Sequence, residues 1–277
     1  MIDFKRLIKN GVHFGHQKTR WCPKMAPYIW GSQNNVHLID VSKTAFQLEK
    51  AAQFLQGVVA EGQCVLWVGT KKAARDIISK AAVDLKMPFV CHRWIGGTLS
   101  NNSQVKKSVT NLLHKEDVLA NAEKFPLYIK KEFNKIQKDV ERLNKNVGGI
   151  KNLTWPLGAI VLIDVNKERS ALKEAAAMGI PVIALVDTNS DPSLVDFVIP
   201  GNDDSPNAIA TIVEILADAA RKGVVIAQES AAKEKEERLI AAKSKKDAAA
   251  APAPKKVIAK EEPKVAPVVD EEESISE

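Results

Sequence analysis

The chain has 277 residues, 45% of them apolar, enough to bury a sizeable core in one large domain or two small ones. Its 40 Lys and Arg against 34 Asp and Glu leave a net charge of +6, and Cys22, Cys64 and Cys91 form no CxxC pair. These features exclude a disulfide framework and a cysteine-based zinc finger, and they suit a reducing compartment. No apolar run approaches the ~18 residues of a membrane helix. The start, MIDFKRLIKN, lacks the apolar core of a secretion signal, so a cytoplasmic location is expected.

The first motif in chain order is VHFGHQKTRWCPKM (12–25), which sets His13, His16, Lys18, Arg20, Trp21 and Lys24 close together. Cations interleaved with aromatic rings suit RNA, since cations meet phosphates while rings and guanidinium planes stack on unpaired bases. A structural role for these residues, seating Phe14 on the body, is the competing reading. VHLID (36–40) then reads as a strand and a helix follows from Ser42. CVLWVG (64–69) is wholly apolar, the pattern of a strand buried on both faces of a parallel sheet. VGTKK (68–72) ends that strand, where free amides with Lys71 and Lys72 could take a phosphate group. A helix is predicted over 71–86 and a short strand over MPFVCH (87–92).

HRWIGGTLSN (92–101) leaves that strand with Arg93 and Trp94, and its paired glycines let a backbone come close to a ligand or an RNA chain. Over roughly 103–150 the pattern changes. Ile129, Phe133, Ile136, Val140, Leu143 and Val147 follow 4-3-4-3-4 spacing, and Val105, Val109, Leu112 and Leu119 share the register, with Glu116 interrupting it. An antiparallel coiled-coil hairpin turning near Lys124-Phe125-Pro126 is expected, with Phe133 and Ile136 in its seam. The α/β pattern resumes with AIVLID (159–164), a helix over 167–178, PVIALVD (181–187) and DFVIP (196–200). A last helix starts after Ser205-Pro206 and stops at Lys222-Gly223. From about Ala227 the composition turns to Ala, Lys, Glu and Pro without aromatics, which predicts a mostly disordered tail whose Ala-, Lys- and Glu-rich first part can form a solvent-exposed helix.

The predicted fold is α/β: a doubly wound, mostly parallel sheet flanked by helices, with an inserted coiled-coil hairpin and a disordered tail. The body comprises 1–102 and 151–226, the insertion 103–150 and the tail 227–277. Charge divides along the same lines. Residues 1–150 carry 24 basic and 12 acidic side chains, 151–225 carry 6 and 10, and 226–277 carry 10 and 12. The basic excess therefore lies wholly in the first half, as for a polyanion-binding face.

No GxGxxG and no GxxxxGK[ST] occurs, so no nucleotide cofactor is expected, and no nucleophile–base–orienter set is complete. DTNSDP (187–192) and IPGNDD (199–204) end two strands with acids, which ordinarily form Asx turns and helix caps. No metal is assigned. The one place a divalent ion could gather is His16 with Asp187, Asp203 and Asp204, if the N-terminal segment folds over that sheet edge.

The ordered set GVHFGHQ (11–17), WCPKMAPYIWG (21–31), VHLID (36–40), VGTKKAA (68–74), HRWIGGTLSN (92–101), GGI (148–150), GIPVIALVDTNSDP (179–192) and DFVIPGNDD (196–204) closely resembles the bacterial-type ribosomal protein two family of the small subunit. The resemblance covers about 1–223 and leaves out the tail. It implies a non-catalytic α/β protein with a coiled-coil hairpin, bound to small-subunit rRNA near the head–body junction. It also implies neighbouring ribosomal proteins as partners, including the large OB-repeat ribosomal protein one. The residues expected on RNA are Lys18, Arg20, Lys24, Lys71, Lys72, Arg93, Trp94 and Asn101. Two rival readings remain: a small-molecule enzyme using the 92–101 loop and the strand-end acids, and a coiled-coil interaction protein without RNA.

Overall fold

A computed structural model describes residues 2–121 and 129–249, and two units emerge, Met1–Ala231 and Ala232–Glu277. The first holds the sheets. Strands β4 (Cys64–Val68), β5 (Phe89–Val90), β6 (Leu157–Ile163), β7 (Val182–Val186) and β8 (Phe197–Pro200) form a five-stranded sheet in the order β5-β4-β6-β7-β8. All four pairings are parallel. Such strands are covered on both faces and read as unbroken apolar runs, and every residue of β6 and β7 is buried.

Alternate side chains divide that sheet between two cores. Val65, Trp67, Val161, Ile163, Ile183 and Leu185 meet α2 (Val41–Ala60), α3 (Arg75–Leu85) and α7 (Pro206–Ala249). On the other face Leu66, Val68, Ile160, Leu162, Ala184 and Val186 meet α6 (Arg169–Ala177) and the bases of α4 (Asn102–Ala120) and α5 (Lys130–Val147). The doubly wound expectation holds.

Helices α4 and α5 pack on each other, with Val109, Val140 and Leu143 resting on the core of Val105, Leu112 and Val147. Lys115 pairs with Asp139 at 2.8 Å. Glu116, the residue that interrupts the apolar register, accepts from Asn144 and Lys151. Phe133 and Ile136 are half-buried. The turn expected near 124–126 lies outside the described residues.

Two features differ from the sequence reading. First, β3 (Val36–Ile39) does not join the parallel sheet. It pairs antiparallel with β1 (Phe14–Gln17) and β2 (Ile29–Gln33) in a separate three-stranded sheet. Asn34 and Asn35, both at positive φ, make the tight turn joining β2 to β3, a conformation asparagine tolerates. Second, α7 does not stop at Lys222-Gly223. A Cβ at Gly223 would lie 2.7 Å from the Gln56 carbonyl and 2.8 Å from Val59, so this glycine lets α7 close on α2 instead of ending the helix. Within the expected tail, 227–249 is helical, as its Ala-, Lys- and Glu-rich composition allows. The remainder, 250–277, lies outside the described residues.

Candidate nucleic-acid interface at the strand ends

Parallel strands point their C-terminal ends to one edge of the sheet, and a ligand crevice is expected where the strand order reverses. Here the reversal falls between β4 and β6. The crevice is filled from within. Glu168, 2% exposed, accepts from both the amide and the hydroxyl of Thr70, which follows β4. A carboxylate thus takes the donors a phosphate would need, and burial, the largest influence, pushes its pKa up.

The next residue, Lys71, has the same fate. Its ammonium lies 2.7 Å from Asp203, 2.6 Å from Asp204 and 3.5 Å from Asp164. Burial works against its charge, but hydrogen bonds to Asp203 and Asp204 outweigh that and hold its pKa above the usual value. Asp203 is fully buried; burial first, then the neighbouring Asp187 and Asp164, push it up to about 7 against the pull of Lys71. Burial also acts against the charge of Asp204, which Lys71 and His16 nonetheless hold below the ordinary value.

The N-terminal sheet folds over this edge. His16 sets Nδ1 2.9 Å from Asp187 and Nε2 3.3 Å from Asp204, and its backbone N–H donates to Thr188 Oγ1 at 2.8 Å. The Asp187 hydrogen bond raises the His16 pKa more than burial lowers it. Gly15 makes the approach possible, since a Cβ there would meet Thr188 Cγ2 at 2.6 Å. The sequence-based grouping of His16 with Asp187, Asp203 and Asp204 is therefore realised. Donor atoms of His16, Asp203 and Asp204 lie within 4.8 Å of one another, spacing that could hold a divalent ion, and Lys71 brings its own positive charge to the same carboxylates.

The expected RNA residues divide into two sets. Lys18 and Arg20, in a 3₁₀ turn after β1, are exposed, as are Lys72 and Arg93 at the ends of β4 and β5. None of these four pairs with a carboxylate among the described residues. Lys24 is exposed and pairs with Asp191 at 2.7 Å. Asn101, also exposed, caps α4 and accepts from the Ser103 hydroxyl.

Two of the expected residues have partners within the protein. Lys71 is engaged by three carboxylates, which leaves no free ammonium for a phosphate. Trp94 is 8% exposed and donates its indole N–H to Glu174 at 3.0 Å, so neither ring face is open for a base to stack on. Glu174 also accepts from the amides of Gly97 and Leu99, so this carboxylate holds the 94–99 loop in place. Sequence reasoning missed Glu168 and Glu174 because their partners lie 98 and 75–80 residues away.

A parallel sheet flanked by helices, its crevice closed by its own carboxylates and ammonium, defines an α/β protein. The chain belongs to the family described as Ribosomal protein S2, whose model matches residues 7–223. Its members are structural proteins of the small ribosomal subunit, not enzymes. No helix among the described residues is long and apolar enough to cross a membrane.

Proposed function

We propose that this small-subunit ribosomal protein binds rRNA through cations around the C-terminal edge of its sheet, and supports translation in the cytoplasm by holding rRNA and neighbouring ribosomal proteins together. One observation carries the reading: the carboxylates of the edge are engaged internally by Lys71 and His16, while Lys18, Arg20, Lys72 and Arg93 stay exposed and unpaired among the described residues. Exposed, unpaired cations offer positive charge to a polyanion. Lys24 and Asn101 are also exposed and would add polar contacts. Lys71 and Trp94 support the surface from beneath. Family membership adds the expectation of neighbouring ribosomal proteins, among them the OB-repeat ribosomal protein one.

A sucrose gradient tests this reading. Co-sedimentation of the chain with small subunits is the expected result. Its exclusive presence in the soluble fraction would favour a free interaction protein.

A further inference from the structure

The 92–101 loop carries two adjacent glycines, and the fold calls for only one of them. Gly97 sits at φ +88°, a conformation other residues resist, and a Cβ there would lie 3.2 Å from the Asn101 Cβ. Gly96 is exposed and has no positive φ, and a Cβ there would meet nothing within 4 Å beyond its chain neighbours. Among the described residues, then, nothing requires glycine at 96.

The loop is also clamped. Glu174 on α6 accepts from the Trp94 indole N–H at 3.0 Å, the Gly97 amide at 2.8 Å and the Leu99 amide at 3.1 Å. Trp94, Thr98 and Leu99 are buried, and the Thr98 hydroxyl donates to the Ile95 carbonyl at 2.6 Å. His92, Arg93 and Gly96 are left exposed. Beside Gly96 a recess of about 120 Å³ opens, lined in part by Ile95 and Asn101.

We infer that the backbone at Gly96 is a contact point for the sugar–phosphate chain of rRNA, and that Glu174 is the residue positioning it. The inference rests on the rRNA reading above and adds a neutral contact to its cations. Cations attract a polyanion from a distance, whereas a bare stretch of backbone lets a ribose or phosphate come into van der Waals contact. A loop held in place by one carboxylate has little left to order on binding, which favours affinity. The chemistry favours RNA over a protein. Arg93, unpaired, lies three residues upstream, and Asn101 offers the recess a carboxamide that suits a ribose hydroxyl. The loop exposes no aromatic residue, the usual anchor of a protein interface.

The test uses the full-length chain and purified small-subunit rRNA, with binding measured across a range of salt. Gly96→Ala should leave the urea midpoint at or above the parental value, because the added methyl group meets open space. It should weaken rRNA binding about tenfold, with the slope of log K against log[salt] unchanged, since no charge is removed. Arg93→Ala should instead flatten that slope by roughly 0.7–0.9. Glu174→Gln replaces one accepting oxygen by a group that only donates, so hydrogen exchange at the Gly97 and Leu99 amides should rise. The Gly96→Ala penalty should shrink in that background, because a loosened loop can withdraw from the RNA.

Parental affinity in Gly96→Ala, with a flattened slope in Arg93→Ala, would overturn the contact and keep the strand-end reading. Failure of the parent itself to bind rRNA would overturn both. A lowered urea midpoint in Gly96→Ala would show that this glycine serves the fold, and would overturn the inference. Normal rRNA binding by Gly96→Ala, with loss of a small-subunit protein from the assembled particle, would make the loop a protein contact and overturn it too. An equal Gly96→Ala penalty with and without Glu174→Gln would overturn the positioning role of Glu174.

Discussion

Lys71 holds its ammonium 2.7 Å from the fully buried carboxylate of Asp203 and 2.6 Å from Asp204. A residue whose sequence context marks it as a phosphate contact therefore serves the fold. Removing it would leave Asp203 buried and unpaired, so Lys71→Ala should cost about 3 kcal/mol by urea melt. Its neighbour Lys72 is exposed, and Lys72→Ala should instead keep parental stability and flatten the rRNA salt slope by roughly 0.7–0.9. A Lys71→Ala protein as stable as the parent would contradict the pairing.

Gly15 sets how closely the N-terminal sheet lies on the body. A methyl group there would fall 2.6 Å from Thr188 Cγ2 and 2.9 Å from its hydroxyl. Gly15→Ala should lower stability by about 1–3 kcal/mol through overpacking and loosen the contact of His16 with Asp187. A thermal midpoint equal to the parent's would show that β1 does not dock as described.

In the helical pair, burial decides which residues matter. Leu112 is fully buried, and Leu112→Ala should cost about 2–5 kcal/mol. Phe133 is only half-buried, so Phe133→Ala should cost less than a core phenylalanine, below about 3 kcal/mol. Urea melts that rank the two variants in the opposite order would refute this packing.

Lys24, followed by the hydroxyl and amide of Ser193, holds the Asp191 carboxyl well below its ordinary 3.8, at about 2. A depressed carboxyl adds stability above its unfolded value and loses it as pH falls through its folded value. The contribution of this pair should therefore fade between about pH 4 and pH 2. An NMR titration should find Asp191 near 2 in the parent and closer to 3.8 in Lys24→Ala. Identical titration in both proteins would show that the ion pair does not form.

The parallel sheet was legible because β6 and β7 are short, wholly apolar runs ending in Asp, a pattern few other structures give. The antiparallel sheet was not. FGHQ and IWGSQ do not alternate cleanly, and only Asn34-Asn35, both at positive φ, marks the hairpin. The acidic grouping at the strand ends followed from topology, since parallel strands deliver Asp187 and Asp203 to one edge. Its internal cation did not, because Lys71 reaches Asp203 across 132 residues and its lysine-rich context pointed outward. The capture of Trp94 by Glu174 on α6 is likewise a tertiary event that no local motif encodes. Gly223 looked like a helix stop, and its actual role is visible only where α7 crosses Gln56 and Val59.

The most direct measurement is the affinity of the full chain for purified small-subunit rRNA as a function of salt. Lys18, Arg20, Lys72 and Arg93 together predict a slope of log K against log[salt] at least as steep as about −3, with each single Ala variant shallower by roughly 0.7–0.9. A parent slope near zero, or a slope that none of these four substitutions alters, would contradict rRNA binding at the strand ends.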